Sequence, residues 1–263
     1  MINTDVLEVP SFDTPFLVLL AVIFLAGIAR GLSGFGTGMI VAPIAGALYG
    51  PKAALTLLVL IDILPALPVT LPAFRIARWS EVLPILTGMI VGLPLGVWIL
   101  VNGDELILRW LICLTILACV AVLWMRFTWR GPRNTGVSLG IGSFAGVLSG
   151  IASIPGPPII AYWTTAGLPA AVVRANLLTL FFLTTFVSLA NISAAGIFAW
   201  DIAMRAVIAS PIYFGGIILG TMAFSHGGER VYRAATFLLI LLAALFALPV
   251  FDDVFNIAAP IAN

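Results

Sequence analysis

The sequence predicts an all-α polytopic membrane protein, and three observations carry that prediction. Of its 263 residues, 62% are hydrophobic and only 9% are charged, whereas soluble domains carry about 25% charged residues. The mean hydropathy is +1.20. Apolar runs recur from end to end at about 20 residues, the length that crosses a hydrocarbon core roughly 30 Å thick. A transmembrane β-barrel would alternate over segments of about 10 residues instead, and no such alternation is present.

Taken in order, the first apolar run goes from about Thr14 to Ala29 and meets Arg30-Gly-Leu-Ser-Gly-Phe-Gly-Thr-Gly38. A polar, glycine-broken segment survives in lipid only where protein or water satisfies its backbone. The run resumes from Met39 to Tyr49, and Gly50-Pro51-Lys52 reads as a loop. A second run, Ala53 to Ala73, contains Asp62, Pro65, Pro68 and Pro72. The basic loop Phe74-Arg-Ile-Ala-Arg-Trp-Ser80 follows, then Val82 to Val101, the turn Asn102-Gly-Asp-Glu105, and Leu106 to Met125. Residues 126–134, with Arg126, Arg130 and Arg133, form a polar linker.

The second half repeats the plan. A run from about Gly136 to Val147 meets Leu148-Ser-Gly-Ile-Ala-Ser-Ile-Pro-Gly-Pro-Pro158 and continues through Tyr162 and Trp163. After Gly167-Leu-Pro169 come runs from Ala170 to Ala190, Ile202 to Phe224 and Val231 to Phe251. Leu32-Ser33-Gly34 aligns with Leu148-Ser149-Gly150 at an offset of 148 − 32 = 116, and a two-residue slip then aligns Pro51 with Pro169. Residues 14–125 and 135–251 are therefore expected to be two repeats. Each is an interrupted or re-entrant helical hairpin plus three transmembrane helices, eight hydropathy spans in about ten segments.

Loop charges set the expected sidedness. With the N-terminus outside and each interrupted segment returning to its own side, the loops with Arg75 and Arg78, with Arg126, Arg130 and Arg133, and with Arg230 and Arg233 all fall in the cytoplasm. Asn102-Gly-Asp-Glu105 and the tail 252–263, with Asp252 and Asp253, fall outside. Basic loops inside is what the positive-inside rule requires. Residues 1–13 carry Asp5, Glu8 and Asp13 and no Lys or Arg, the reverse of a secretory signal, and read as an acidic outer tail. An odd number of segments per repeat makes the two repeats inverted. Inverted repeats with broken helices are the pattern of a secondary transporter.

Few residues can carry chemistry. The net charge of +1 points to neither nucleic acid nor a polybasic lipid clamp. Cys113 and Cys119 lie six residues apart, on different faces of one helix, and read as buried thiols. With one histidine, His226, no metal cluster or cofactor is expected, and one carboxylate without a nearby histidine argues against an enzyme. The glycines at 31, 34, 36 and 38 would serve as packing notches. They would also free amides at the start of a half-helix, where partial positive charge holds an anion. Ser33, Gly34, Gly36, Thr37 and Gly38 are thus candidate anion contacts, matched by Ser149, Gly150, Ser153 and Gly156. Pro155, Pro157 and Pro158 force the second break and remove donors.

Arg30 either snorkels to the cytoplasmic surface or lies at depth, where a charge costs about 3 kcal/mol and needs an anionic partner, substrate or Asp62. Asp62 is the candidate proton or cation carrier. Arg174, with Asn176 beside it, offers a second anion contact or another snorkelling residue, and Tyr162 a cavity lining. Trp79, Trp129 and Trp200 read as belt residues, and Phe181, Phe182 and Phe186 as lipid-facing or core.

Arg30 to Gly38, followed by Pro43, resembles the first glycine-rich repeat of the TauE/SafE family of sulfite exporters. Ser149 to Pro158, with Arg174-Ala-Asn176 downstream, resembles the second, and the likeness covers residues from about 14 to 250. It departs from the family's consecutive glycines at Phe35-Gly-Thr-Gly38 and Ala152-Ser-Ile-Pro-Gly156. The resemblance implies an inner-membrane permease exporting sulfite, an organosulfonate such as sulfoacetate, or a related small anion. The alternatives are an anion channel, which uses the same amide-lined constriction, or an uptake permease for another small organic anion.

Overall fold

Some helix starts in this chain are set by short polar caps in the sequence. Asp13 accepts a hydrogen bond from Phe16 N at 3.1 Å and opens α1, Thr14–Ser33. Asn134 does the same for Val137 N at 2.8 Å and opens α6, Thr135–Ala152. Between and beyond them lie α2 (Thr37–Tyr49), α3 (Pro51–Ile76), α4 (Trp79–Asn102), α5 (Glu105–Trp124), α7 (Gly156–Trp163), α8 (Ala170–Ala194) and α9 (Trp200–His226). The computed structural model describes residues 13–125, 129–226, 238 and 240–251, and no strand occurs among them.

Six helices, α1, α4, α5, α6, α8 and α9, are long and apolar enough to cross a membrane. A seventh, α3, bends by 45° between Ile63 and Pro65, where proline removes a helix hydrogen bond. By contrast α2 has 13 residues and α7 has 8. At ~1.5 Å per residue both fall short of a ~30 Å core. The run expected from Val231 to Phe251 is described only at residues 238 and 240–251, and Arg126, Arg230, Arg233, Asp252 and Asp253 lie outside the described residues. Apolar side chains face outward, as lipid contact requires: Val91 is 69% exposed and Trp98 61%.

Both helix breaks come later than the polar motifs suggest. The first helix runs through Arg30 to Ser33, and α6 through Ser149 and Gly150 to Ala152. Gly31 and Gly150 stay helical because each is a packing notch. A Cβ on Gly150 would meet Leu93 O and Val97 N of α4, and one on Gly31 would meet Ile217 O and Thr221 N of α9. The chain leaves the helix only where φ turns positive, at Gly34 (79°) and Ser153 (55°). These positions differ by 153 − 34 = 119 residues, not 116. In that register Gly27 and Gly31 fall on Gly146 and Gly150, the glycines that make the close helix contacts.

The two most extensive helix pairings, α4 with α6 and α1 with α9, each join one half of the chain to the other. Gly88, Gly92 and Gly96 interlock with Gly142, Gly146 and Gly150, and Gly27 and Gly31 with Gly216 and Gly220. Small residues every four positions let backbones touch where lipid supplies no hydrophobic drive. Gly92→Leu would push Cβ into the Ser143 carbonyl. It is expected to lower stability by at least ~1–3 kcal/mol in thermal unfolding, whereas Val91→Leu on the outer face leaves it unchanged.

Two arginine clasps close the ends of the broken helices. Arg133 Nη2 donates to Glu81 Oε2 at 2.7 Å and Nη1 to Tyr162 O at 3.0 Å, with the guanidinium 4.4 Å over the Tyr162 ring. Arg205 lies over Phe16 and Tyr49, donates to Tyr49 Oη at 3.3 Å and sits 3.8 Å from Asp13. Each clasp joins the start of one broken helix, the end of its second half and the opening turns of α4 or α9. Of the belt residues, Trp200 is 65% and Trp79 40% exposed, while Trp129 packs edge-on against Tyr162.

Candidate functional site: a cavity where two broken helices cross

The first break is built from glycine. Gly34 turns left-handed and returns its N–H to Arg30 O at 2.8 Å, and Gly36 (φ 107°) starts α2 with no side-chain cap. The first amides of α2 are therefore left without helix partners. The second break uses Ser153 in the left-handed region, where a side chain is disfavoured and strain gathers at functional positions. Its N–H bonds Ser149 O at 2.8 Å. Pro157 and Pro158 open α7 without donors, so Gly156 and Ile159 carry the N–H groups there. The start of α2 therefore offers more backbone donors than the start of α7.

The breaks touch. A Cβ on Gly38 would collide with the carbonyl of Ser153, and one on Gly156 would rest 3.7 Å from Phe35. Beside this crossing lies a cavity of about 70 Å³, several times the ~10–15 Å³ that one water needs. Arg30, Gly36, Thr37 and Gly38 line it from the first half, with Asp62 of α3. Ser149, Ser153 and Gly156 line it from the second, with Phe181, Thr184, Thr185 and Ser188 of α8.

Arg30 is 5% exposed and so does not snorkel. Its Nη2 donates to Asp62 Oδ2 at 2.9 Å, its guanidinium lies 5.5 Å from the Phe181 ring centre, and its Nε has no partner among the described residues. Asp62 Oδ1 accepts from Tyr213 Oη at 2.8 Å. Tyr213 Oη is 2.7 Å from Thr37 Oγ1. Since the tyrosine proton goes to Asp62, Thr37 donates to the tyrosine, and a directed chain runs from the start of α2 to the carboxylate. Opposite, Thr184 and Thr185 donate to Phe181 O at 3.0 and 2.9 Å. One wall thus offers donors and the other lone pairs.

The other candidate residues sit elsewhere. Ser33 bonds Ala29 O (2.7 Å) or Phe35 O (2.8 Å) at the end of α1. Gly34 faces the Arg174 stem, and Arg174 Nη2 donates to Gly31 O at 2.9 Å, a cation at a helix C-terminus. Asn176 is fully buried and accepts from Arg78 N at 2.7 Å before α4. Tyr162 belongs to the Arg133 clasp and bonds Ser138 at 2.8 Å. Sequence reasoning passed over Tyr213, which looks like one more aromatic in an apolar run. It also passed over Thr184, Thr185 and Ser188, although the i, i+4 spacing of Thr184 and Ser188 puts them on one face. Phe181 and Phe182 are buried, whereas Phe186 is 48% exposed.

The family model described as sulfite exporter TauE/SafE matches residues 19–247, both breaks and the whole cavity included. The chain belongs to the TauE/SafE family. It is a multi-pass α-helical membrane protein of a family of exporter-type transporters for sulfite and related sulfur anions. Curated proteins and solved structures give no match. No group of three His, Cys, Asp or Glu able to hold a metal occurs among the described residues of this TauE/SafE chain, and Cys113 and Cys119 are buried thiols, Cys113 donating to Ala247 O at 3.5 Å.

Proposed function

We propose that this TauE/SafE protein is an alternating-access secondary transporter of the inner membrane. It exports a small sulfur oxyanion, sulfite or an organosulfonate, through the cavity at the helix crossing. The observation that carries the reading is a buried arginine converging with the uncapped start of α2 in a cavity of anion size. Arg30 supplies the charge, the amides of Thr37, Gly38 and Met39 supply directed donors, and the hydroxyls of Ser149 and Ser153 complete the second side. Arg174 holds the end of α1 in place and acts on the anion only through that helix.

Rocking of one inverted repeat against the other would open the cavity to each face in turn. The matched break register and the paired α4–α6 and α1–α9 contacts support such repeats. In the same reading both termini lie outside, and Asn102 and Arg130 lie on opposite sides. Cysteine labelling of intact cells should then modify Asn102→Cys and spare Arg130→Cys. Labelling of both from one side would contradict the topology.

The function is tested by thermal shift of the purified protein against sulfite, sulfate, sulfoacetate, taurine and simple carboxylates, followed by flux in proteoliposomes. Saturable flux with counterflow is expected of a carrier, whereas non-saturating conductance would favour a channel.

A further inference from the structure

We propose that the anion travels with one proton, and that Asp62 takes that proton when the anion takes Arg30 from it. The inference rests on the transport reading above and concerns how the same cavity is charged. Arg30 and Asp62 are the only ionic side chains that line the cavity among the described residues, and they are bonded to each other. From every element packed around it, Asp62 meets Arg30 of α1, the Tyr213 hydroxyl of α9 and, through that hydroxyl, Thr37 of α2. The α8 wall of the cavity offers Phe181, Thr184, Thr185 and Ser188, none of them charged. Arg174, also on α8, does not line the cavity but bonds Gly31 O at 2.9 Å, close enough for its charge to act on Arg30.

An entering anion therefore meets an arginine that is already neutralised. Binding it beside ionised Asp62 would place two negative charges against one positive charge in a buried site, which favours the neutral form of the carboxyl. The balance is simple: Asp62 carboxylate and a proton from water give the carboxylic acid, and the Arg30 bond passes from Asp62 to the anion. For a monovalent anion the site is neutral when empty and neutral when loaded. Both forms then avoid carrying a bare charge through the membrane.

The hydroxyl chain fits both states. With Asp62 ionised, Thr37 donates to Tyr213 and Tyr213 to Asp62. With Asp62 protonated, the acid donates to Tyr213 and Tyr213 to Thr37, since a hydroxyl can donate and accept. Reversal frees the Thr37 proton at the start of α2, where the anion sits. Tyr213 is thus a positioning residue: it favours the carboxylate in the empty carrier and hands a donor to the anion in the loaded one.

The test is calorimetry of anion binding to the purified full-length protein, in buffers of different ionisation enthalpy and across pH. The probes are sulfite, sulfoacetate and methanesulfonate, the last because it does not itself titrate. The expected result is uptake of one proton per anion, with affinity falling about tenfold per pH unit on the alkaline side. Asp62→Asn should bind the anion without proton uptake and without pH dependence. In proteoliposomes its net efflux should fall at least tenfold further than its anion exchange, because its empty form carries an unpaired Arg30. Tyr213→Phe should shift the pH profile upward, since the carboxylate loses a donor, while a structural role alone would leave the profile in place. Methanesulfonate flux should ignore an imposed membrane potential.

Anion binding by the native protein with no proton uptake would overturn the proposal and leave the transport reading standing. So would sodium-dependent binding that Asp62→Asn abolishes, or weaker binding by Asp62→Asn at every pH. If no oxyanion binds the native protein, the transport reading itself falls, and the proton proposal with it.

Discussion

Arg30→Met is expected to lose about 3–5 kcal/mol of stability, because it leaves the Asp62 carboxylate buried without its cation. Asp62→Asn should lose a similar amount by stranding Arg30. The paired change, Arg30→Met with Asp62→Asn, should recover most of the loss, since replacing both members of a buried pair is often close to neutral. Methionine also fills the space against Phe181 and suits an aromatic neighbour. Thermal unfolding of the four proteins gives the coupling between the two residues directly. Additive losses in the pair would mean that the 2.9 Å contact contributes little and that each residue answers to some other group.

Gly38→Val should abolish anion binding and reduce flux more than a hundredfold. Its Cβ would occupy the place of the Ser153 carbonyl, so one of the two breaks must move. Backbone cannot yield as a flexible side-chain tip does, and the added bulk is expected to cost ~1–3 kcal/mol or more. Gly140→Ala in α6 is the matching control. Nothing lies within 4 Å of a Cβ at Gly140, and alanine should improve that helix by up to about 1 kcal/mol. Thermal unfolding together with oxyanion binding separates the two effects. Normal binding by Gly38→Val would mean that the crossing does not shape the cavity.

Much of this architecture can be read from the chain because lipid leaves so few options. Apolar runs of spanning length announce the helices, and glycine-rich or proline-rich interruptions announce the breaks. A lone arginine and a lone aspartate in apolar runs point to each other. Where the helices stop is harder to read, because Gly31 and Gly150 look like breakers and act as packing notches. Their role depends on α9 and α4 lying against them. The aligned Leu-Ser-Gly triplets mislead for the same reason: they match letters, whereas the breaks match by positive φ at Gly34 and Ser153.

Other assignments depended on contacts far apart in sequence. Asn176 meets a backbone amide 98 residues away, and Arg174 a carbonyl 143 residues away. Nothing local distinguishes such a partner from an anion. Tyr213 is the converse: its hydroxyl matters because α9 packs beside the start of α2, 176 residues earlier. A tyrosine in an apolar helix gives no sign of that.

The claim that the helix-crossing cavity is the anion's path is tested most directly by flux through the Arg30→Met, Asp62→Asn pair. That protein should unfold near the native temperature, since the ion pair is removed whole. Its saturable sulfite or sulfonate flux in proteoliposomes should fall to the level of empty vesicles. Flux at the native rate through a folded protein lacking both charges would place the anion elsewhere in the structure.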